Sequence, residues 1–235
     1  MAMENKKTYL YTGIVSLALF LITAIVIKIG FTTSPLPLDR TFENIAWATR
    51  NGVLTAILGV YTWIFGDLGG IITTVLVFAL LATILNKRKG SLYFGLSAVV
   101  IILANTVIKD IIGRVRPMAD RLPAYINESG QSFPSGHSAF ATIFFGCLFL
   151  FYVAQMRSQT QRIILGVACG VGLFLVMFSR VYIGVHYPSD TLGGFLLSLS
   201  WLAFTYPYFL KFSGKKHSRH SSSGSRQTYR KAPID

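Results

Sequence analysis

Residues 8–29 read TYLYTGIVSLALFLITAIVIKI, an almost purely apolar run. Its length suffices to cross a bilayer as one helix, which requires ~20 residues. Lys6 and Lys7 precede the run, as basic residues precede the apolar core of a signal peptide. However, the run exceeds the ~7–15 residues of such a core, and no small-residue cleavage site follows it. We therefore interpret it as a retained anchor of an integral membrane protein.

The composition of the chain agrees with a membrane location. Apolar residues make up 52% of the 235 residues and charged residues only 13%, whereas a soluble domain has ~25% charged residues. A chain of this composition could not cover a water-exposed surface, which excludes a cytosolic enzyme. Cys147 and Cys169 lie in apolar stretches without a CxxC spacing, which excludes a disulfide framework and a zinc site.

The distribution of apolar runs predicts an all-α, polytopic fold with six transmembrane helices. The predicted spans are 8–29, 68–85, 91–112, 137–155, 163–178 and 191–210. A seventh apolar run at 53–65 is too short to cross a bilayer. Together with residues 37–52, it is expected to form one or two short amphipathic helices outside the cytoplasm.

The Lys and Arg residues predict the orientation, because cytoplasmic loops are enriched in basic residues. With six spans and both termini in the cytoplasm, most basic residues fall on the inner side. Residues 1–210 are then the membrane-embedded domain. Residues 211–235 are rich in Gly, Ser, His, Lys and Arg, and we expect them to be a basic, disordered cytoplasmic tail.

Three segments carry reactive side chains in places where the orientation rule gives no reason for them. They lie on one membrane face, because two spans separate the first two segments from the third. Ionisable groups in such positions are candidates for function. In chain order the segments are Lys109 with Arg116-Pro117, then Pro134-Ser135-Gly136-His137, then Ser179-Arg180 with His186 and Asp190.

The spacing within these segments favours a phosphate site. Lys109 and Arg116 are two helical turns apart and share a face if the helix persists, although Pro117 could end it earlier. Ser135 is a natural N-cap, which leaves the amides of Gly136 and His137 free to bind an anion. Each segment alone has a plainer interpretation as a helix cap, a headgroup anchor or a polar pair. The combination favours phosphoryl transfer, and Arg114, off the Lys109 face, is interpreted as a headgroup contact.

The chemistry of phosphoryl transfer assigns a role to each of these residues. His186 is the expected nucleophile, Asp190 fixes its tautomer, and His137 is the general acid and then the base that activates water. The expected phosphate-binding residues are Lys109, Arg116, Ser135, Gly136 and Arg180. We expect no metal and no cofactor, because Asp190 is committed to His186 and the other acidic residues of this face, Asp110, Asp120 and Glu128, are isolated from one another.

These segments resemble the signature of the type-2 phosphatidic acid phosphatase superfamily. Among its members the sequence is most similar to the bacterial phosphatidylglycerophosphate phosphatases of the B type. The resemblance implies a six-span fold in a bacterial cell membrane, an active site outside the cytoplasm and the same residue roles.

The substrate is less well determined than the reaction. The resemblance favours phosphatidylglycerol phosphate, then undecaprenyl diphosphate, then phosphatidate or diacylglycerol diphosphate. A lipid is the expected partner, with no nucleic acid and no obligate protein partner. The alternatives are a non-catalytic anionic lipid binder, which would not need His186 or Asp190, and a vanadium-dependent peroxidase. Residues 37–65 and 118–133 are expected to shape substrate entry.

Overall fold

The computed structural model describes residues 2–84, 87–118 and 120–213, and this part of the chain is helical with no strand. The fold is therefore all-α, as predicted. The helices are α1 (Ala2–Gly30), α2 (Pro37–Ala48), α3 (Gly52–Ile64), α4 (Asp67–Ala79), α5 (Arg88–Ile112), α6 (Gly136–Tyr152), α7 (Gln159–Tyr182) and α8 (Pro188–Ser213). A π-helical turn, Leu80–Ile84, extends α4.

Three of the helices are long and apolar enough to cross a membrane by themselves. They are Lys6–Gly30 in α1, Arg88–Ile112 in α5 and Gln159–Tyr182 in α7. A fourth candidate is the pair Gly52–Ile64 and Leu68–Thr83, which is bent by 58° and is either a broken span or a re-entrant loop. The count of six spans therefore stays a prediction.

The segment before α4 forms two short helices, as the apolar spacing indicated. Helix α2 begins with Pro37, and the Asp39 carboxylate accepts a hydrogen bond from the backbone N–H of Leu36 at 3.0 Å. Asn51 caps α3 by accepting from the N–H of Leu54 at 2.9 Å. These caps satisfy amide groups that have no partner inside the helix.

Helix α8 lies at the centre of the bundle, packed against α1 and α6, with α5 and α7 beside them. The core between these helices consists of side chains such as Phe94, Ile143, Val176 and Leu202. The outer faces of α1, α5 and α7 instead expose large apolar side chains, which is the surface expected to face lipid. Helix α8 continues to Ser213, so the predicted tail begins as helix; residues 214–235 lie outside the described residues.

Candidate active site

Lys109 and Arg116 approach the site by different routes. Helix α5 ends at Ile112, and Gly113 adopts a left-handed conformation (φ 70°) that turns the chain away. The possibility that one helical face carries both residues is therefore wrong. Lys109 lies in the last turn of α5, where its Nζ donates to the carbonyl of Gln131. Arg116 reaches the site from the following loop.

The N-terminus of α6 provides the second part of the site. Ser135 caps the helix, its Oγ accepting from the N–H and the hydroxyl of Ser138 at 3.4 and 3.2 Å. Ser135 is fully buried, whereas Gly136 and His137 line the cavity described below. Helix α8 approaches closely here, since a Cβ at Gly194 would lie 2.3 Å from the carbonyl oxygen of Ser135.

His186 lies in the turn between α7 and α8 and is 1% exposed. Its Nδ1 is 3.4 Å from Oδ2 of Asp190, and its Nε2 is 3.1 Å from Nη1 of Arg116. Burial lowers the pKa of His186 well below its usual value, and the positive charges of Arg116, Arg180 and Lys109 lower it further. The imidazole is therefore neutral at physiological pH, the form a nucleophile requires.

Asp190 is held by several donors at the first turn of α8. Its Oδ2 accepts from the N–H of Tyr187 at 2.8 Å and from the hydroxyl of Ser132. Ser132 is fully buried, and its Oγ is also 3.4 Å from Nδ1 of His186. Ser132 therefore belongs to the site, although it lies outside the sequence segments that predicted it.

Glu128 joins the two arginines that were predicted to bind phosphate. Its carboxylate oxygens lie 2.7 Å from Nη2 of Arg180 and 3.4 Å from Nη1 of Arg116. Burial raises the pKa of Glu128, but Arg180, Arg116 and Arg121 together outweigh burial and lower it. The sequence analysis did not predict that Glu128 takes part in the site. Because carboxylate and phosphate both accept from guanidinium N–H groups, this pairing indicates that the two arginines can converge on one anion.

Arg114 does not contact lipid headgroups, and that prediction is wrong. Its side chain is fully buried, 2.7 Å from Oδ1 of Asp190 and 3.0 Å from Oδ2 of Asp39. The guanidinium also lies over the ring of Tyr187, 4.1 Å from its centroid. Asp39 of α2 accepts in turn from the N–H of Ser189 at 2.8 Å. Spacing along α5 could not reveal this role, because the partners come from distant parts of the chain.

A polar cavity of about 440 Å³ lies at this site. Its wall contains both histidines and two of the predicted phosphate-binding cations, together with part of the loop 118–133: Lys109, Arg116, Ala124, Tyr125, Asn127, Glu128, Ser129, Gly136, His137 and His186. The structure therefore brings the two imidazoles to one cavity.

A second, mainly apolar groove of about 450 Å³ adjoins this cavity between α4, α5 and α6. Lys109, Gly136 and His137 line both spaces, so they stand where the groove meets the polar cavity. A Cβ at Gly66 would lie 2.8 Å from Nε2 of His137, so the start of α4 packs tightly against this imidazole. The arrangement suits a molecule with a phosphate at one end and a hydrocarbon chain at the other.

Within the described ranges, no cluster of three or more His, Cys, Asp or Glu residues could hold a metal ion. The carboxylates of the site are engaged by other groups: Asp190 by Arg114 and Glu128 by Arg180. Independence of metal stays a prediction.

Comparison with known proteins agrees with this geometry. Residues 90–213, which contain all three sequence segments, match the PAP2 superfamily. This chain belongs to the PAP2 superfamily. A phosphatidylglycerophosphatase B of Bacillus subtilis is 43% identical over 99 residues, 41% of this chain and about half (47%) of that protein. An undecaprenyl-diphosphatase of Sulfolobus acidocaldarius is 32% identical over 201 residues, 80% of this chain and 86% of that protein.

The fold also matches a solved membrane structure of the PAP2 superfamily. The crystal structure of the transmembrane PAP2 type phosphatidylglycerolphosphate phosphatase from Bacillus subtilis aligns with a TM-score of 0.72 at 27% identity. The alignment covers 88% of this chain and 99% of that one. This protein is thus a PAP2 membrane phosphatase related to phosphatidylglycerophosphatase B, as the sequence resemblance implied.

Proposed function

We propose that this protein is a lipid phosphatase that hydrolyses phosphatidylglycerol phosphate to phosphatidylglycerol through a phosphohistidine intermediate. The observation that carries this proposal is the orientation of His186. Its Nε2 is beside Arg116 at the cavity, and its Nδ1 is on the side of Asp190. With the proton on Nδ1, Nε2 of the neutral imidazole carries the electron pair for attack; without substrate this pair accepts from Nη1 of Arg116, which turns to the phosphate when substrate binds.

In the first step, Nε2 of His186 attacks phosphorus, and the bond from phosphorus to the lipid oxygen breaks. His137 donates a proton to that oxygen, so the lipid leaves as an alcohol. Asp190 stabilises the positive charge that develops on His186, while Lys109, Arg116 and Arg180 stabilise the charge on the phosphoryl oxygens.

In the second step, His137 accepts a proton from water, and the resulting nucleophile attacks the phosphohistidine. The bond between phosphorus and nitrogen breaks, which releases inorganic phosphate and restores neutral His186. Every proton that the reaction needs passes through His137, and Lys109, Arg116 and Arg180 supply the positive charge that a metal would otherwise provide.

The apolar groove supports a lipid as the substrate. A phosphate bound by Lys109 in the polar cavity leaves the groove between α4 and α5 open to a hydrocarbon chain. We propose that this cavity opens outside the cytoplasm, with both termini inside. A cysteine introduced at exposed Ser129 should then react with an impermeant maleimide in intact cells, whereas one at exposed Arg157 should not.

Undecaprenyl diphosphate is the second candidate substrate, favoured by the relative from Sulfolobus acidocaldarius, which aligns over most of both chains. The decisive assay measures inorganic phosphate released by purified protein from phosphatidylglycerol phosphate, undecaprenyl diphosphate, phosphatidate and diacylglycerol diphosphate. His186→Ala serves as the blank. The highest kcat/KM on phosphatidylglycerol phosphate supports the proposal, and the highest on undecaprenyl diphosphate supports the alternative. Binding without release of phosphate from any lipid would indicate a lipid-binding protein.

A further inference from the structure

Asn105 is a buried polar side chain that the mechanism above does not use. It lies on α5, one helical turn before Lys109, and is 4% exposed. Within the described residues, its side-chain Nδ2 has no hydrogen-bond partner. Buried amide groups nearly always find a partner, so an unpaired one at a functional site requires an explanation.

Asn105 lies beside other hydrogen-bond donors. It lines the apolar groove beside the three residues shared with the polar cavity, Lys109, Gly136 and His137. Its Oδ1 would lie 3.7 Å from a Cβ at Gly136, so the amide faces the N-terminus of α6. None of the described residues that line the groove is acidic. Nδ2 is therefore left with a free proton that an acceptor on a ligand in the groove can bind.

We propose that Nδ2 of Asn105 donates a hydrogen bond to an oxygen of a second phosphoryl group in the substrate, one that is not transferred. This inference rests on the proposed function. A lipid whose transferred phosphate binds Lys109 and whose chain lies in the groove must pass its connecting atoms beside Asn105, ~6 Å further along α5. The positive end of α6 and the ammonium of Lys109 favour an anionic group there over a neutral ester carbonyl.

The proposal makes Asn105 a substrate-binding residue that distinguishes between classes of lipid phosphate. Phosphatidylglycerol phosphate carries a phosphodiester on the chain side of its terminal phosphate, and a polyprenyl diphosphate carries a second phosphate there. Phosphatidate has only carboxylic esters in that region, and p-nitrophenyl phosphate has neither group.

The test compares wild type with Asn105→Leu, which preserves volume but removes the donor. We expect kcat/KM to fall at least about 10-fold for phosphatidylglycerol phosphate or undecaprenyl diphosphate, the size expected for a hydrogen bond to a charged group. The loss should appear mainly in KM, because the bond is present in the ground state too. Phosphatidate and p-nitrophenyl phosphate should change less than about threefold. A loss confined to phosphatidylglycerol phosphate or to undecaprenyl diphosphate identifies which of these two lipids supplies the acceptor.

The proposal would be overturned by an equal loss of kcat/KM on all four substrates. It would also be overturned if kcat/KM fell for neither phosphatidylglycerol phosphate nor undecaprenyl diphosphate. Ser198→Ala is the matched control, since Ser198 of α8 is also buried, its hydroxyl has no described partner, and it lines neither cavity. Should the Leu variant fail to fold, Asn105→Ala, which also removes the donor, is read by the same criteria. Failure of the proposed function is distinct, because wild type would then release no phosphate from any lipid.

Discussion

Arg114 donates to Oδ1 of Asp190 at 2.7 Å, and both side chains are fully buried. The carboxylate beside the proposed nucleophile is therefore held by a cation that does not line the cavity. Arg114 also pairs with Asp39, so helix α2 is coupled to the turn that carries His186. The short amphipathic helix is thus part of the support of the active site.

We expect Arg114→Leu to lower the free energy of unfolding by about 3–5 kcal/mol, because it leaves Asp39 and Asp190 buried without their cation. Thermal denaturation in detergent measures the effect. Arg157→Gln is the control, since Arg157 is exposed and its removal should change stability by no more than ~0.5 kcal/mol. Equal melting temperatures of the two variants would contradict a supporting role for Arg114.

The two histidines should fail in different ways when replaced. His186→Ala should release almost no phosphate and acquire no acid-labile phosphate label. His137→Ala should lower kcat on lipid substrates by about 100- to 10,000-fold, the range for losing a general acid and base. On p-nitrophenyl phosphate, whose leaving group needs no proton, this variant should give a burst of nitrophenolate followed by slow turnover. A burst from His186→Ala instead would assign the nucleophile to another residue.

The pH dependence of kcat/KM should be bell-shaped, with its acidic limb below pH 6.5. Protonation inactivates His186, and its pKa lies well below the usual value, so the nucleophile stays neutral as pH falls through 6.5. The alkaline limb reports loss of the proton that His137 donates, and it is also displaced to lower pH because desolvation of His137 and the same cations that act on His186 disfavour its protonated form. Arg116→Gln removes a nearby positive charge, raises the pKa of His186 and should move the acidic limb to higher pH. A flat profile between about pH 5 and 9 would contradict this division of roles.

Glu43 should make the protein less stable as pH rises. Burial raises the pKa of this carboxyl from 4.5 to about 7, although Arg40 lowers it. The folded state therefore binds the proton more tightly than the unfolded state, and its stability falls as pH increases from about 4.5 through 7. Glu43→Gln should melt several degrees above wild type at pH 8 and close to wild type at about pH 4, given ~2–4 °C per kcal/mol for a chain of this size.

Asp110→Asn is the control for Glu43→Gln, because it replaces an exposed carboxylate instead of a buried one. Its melting temperature relative to wild type should be the same at both pH values. A Glu43→Gln variant with the same melting temperature as wild type at both pH values would show that Glu43 is not buried in its charged form.

Removal of divalent metal should leave activity unchanged. Asp190 already accepts hydrogen bonds from Arg114, Tyr187 and Ser132, and Glu128 is paired with Arg180 and Arg116. With its carboxylates engaged, the described site offers a divalent cation no free acidic ligand. Phosphate release in the presence of EDTA should stay within about twofold of the untreated rate. Loss of activity with EDTA and recovery with magnesium would refute this.

Much of the fold followed from local patterns. The apolar run at 8–29 corresponds to α1, and the runs at 91–112 and 163–178 correspond to α5 and α7. The weaker run at 53–65 forms α3 and is bent against the next helix. Whether that pair crosses the membrane depends on the angle at Gly66, which hydropathy along the chain does not encode.

The sequence by itself determined the family and predicted the reacting groups, because phosphoryl transfer requires particular residue types at short spacings, such as His186 four residues before Asp190. Only the tertiary structure decided what stabilises those groups. Arg114, Glu128 and Asn105 are unremarkable as sequence, and each acquires its role from partners or cavities formed by other helices. A charge or an amide is costly only once it is buried, and burial is a property of the packed chain.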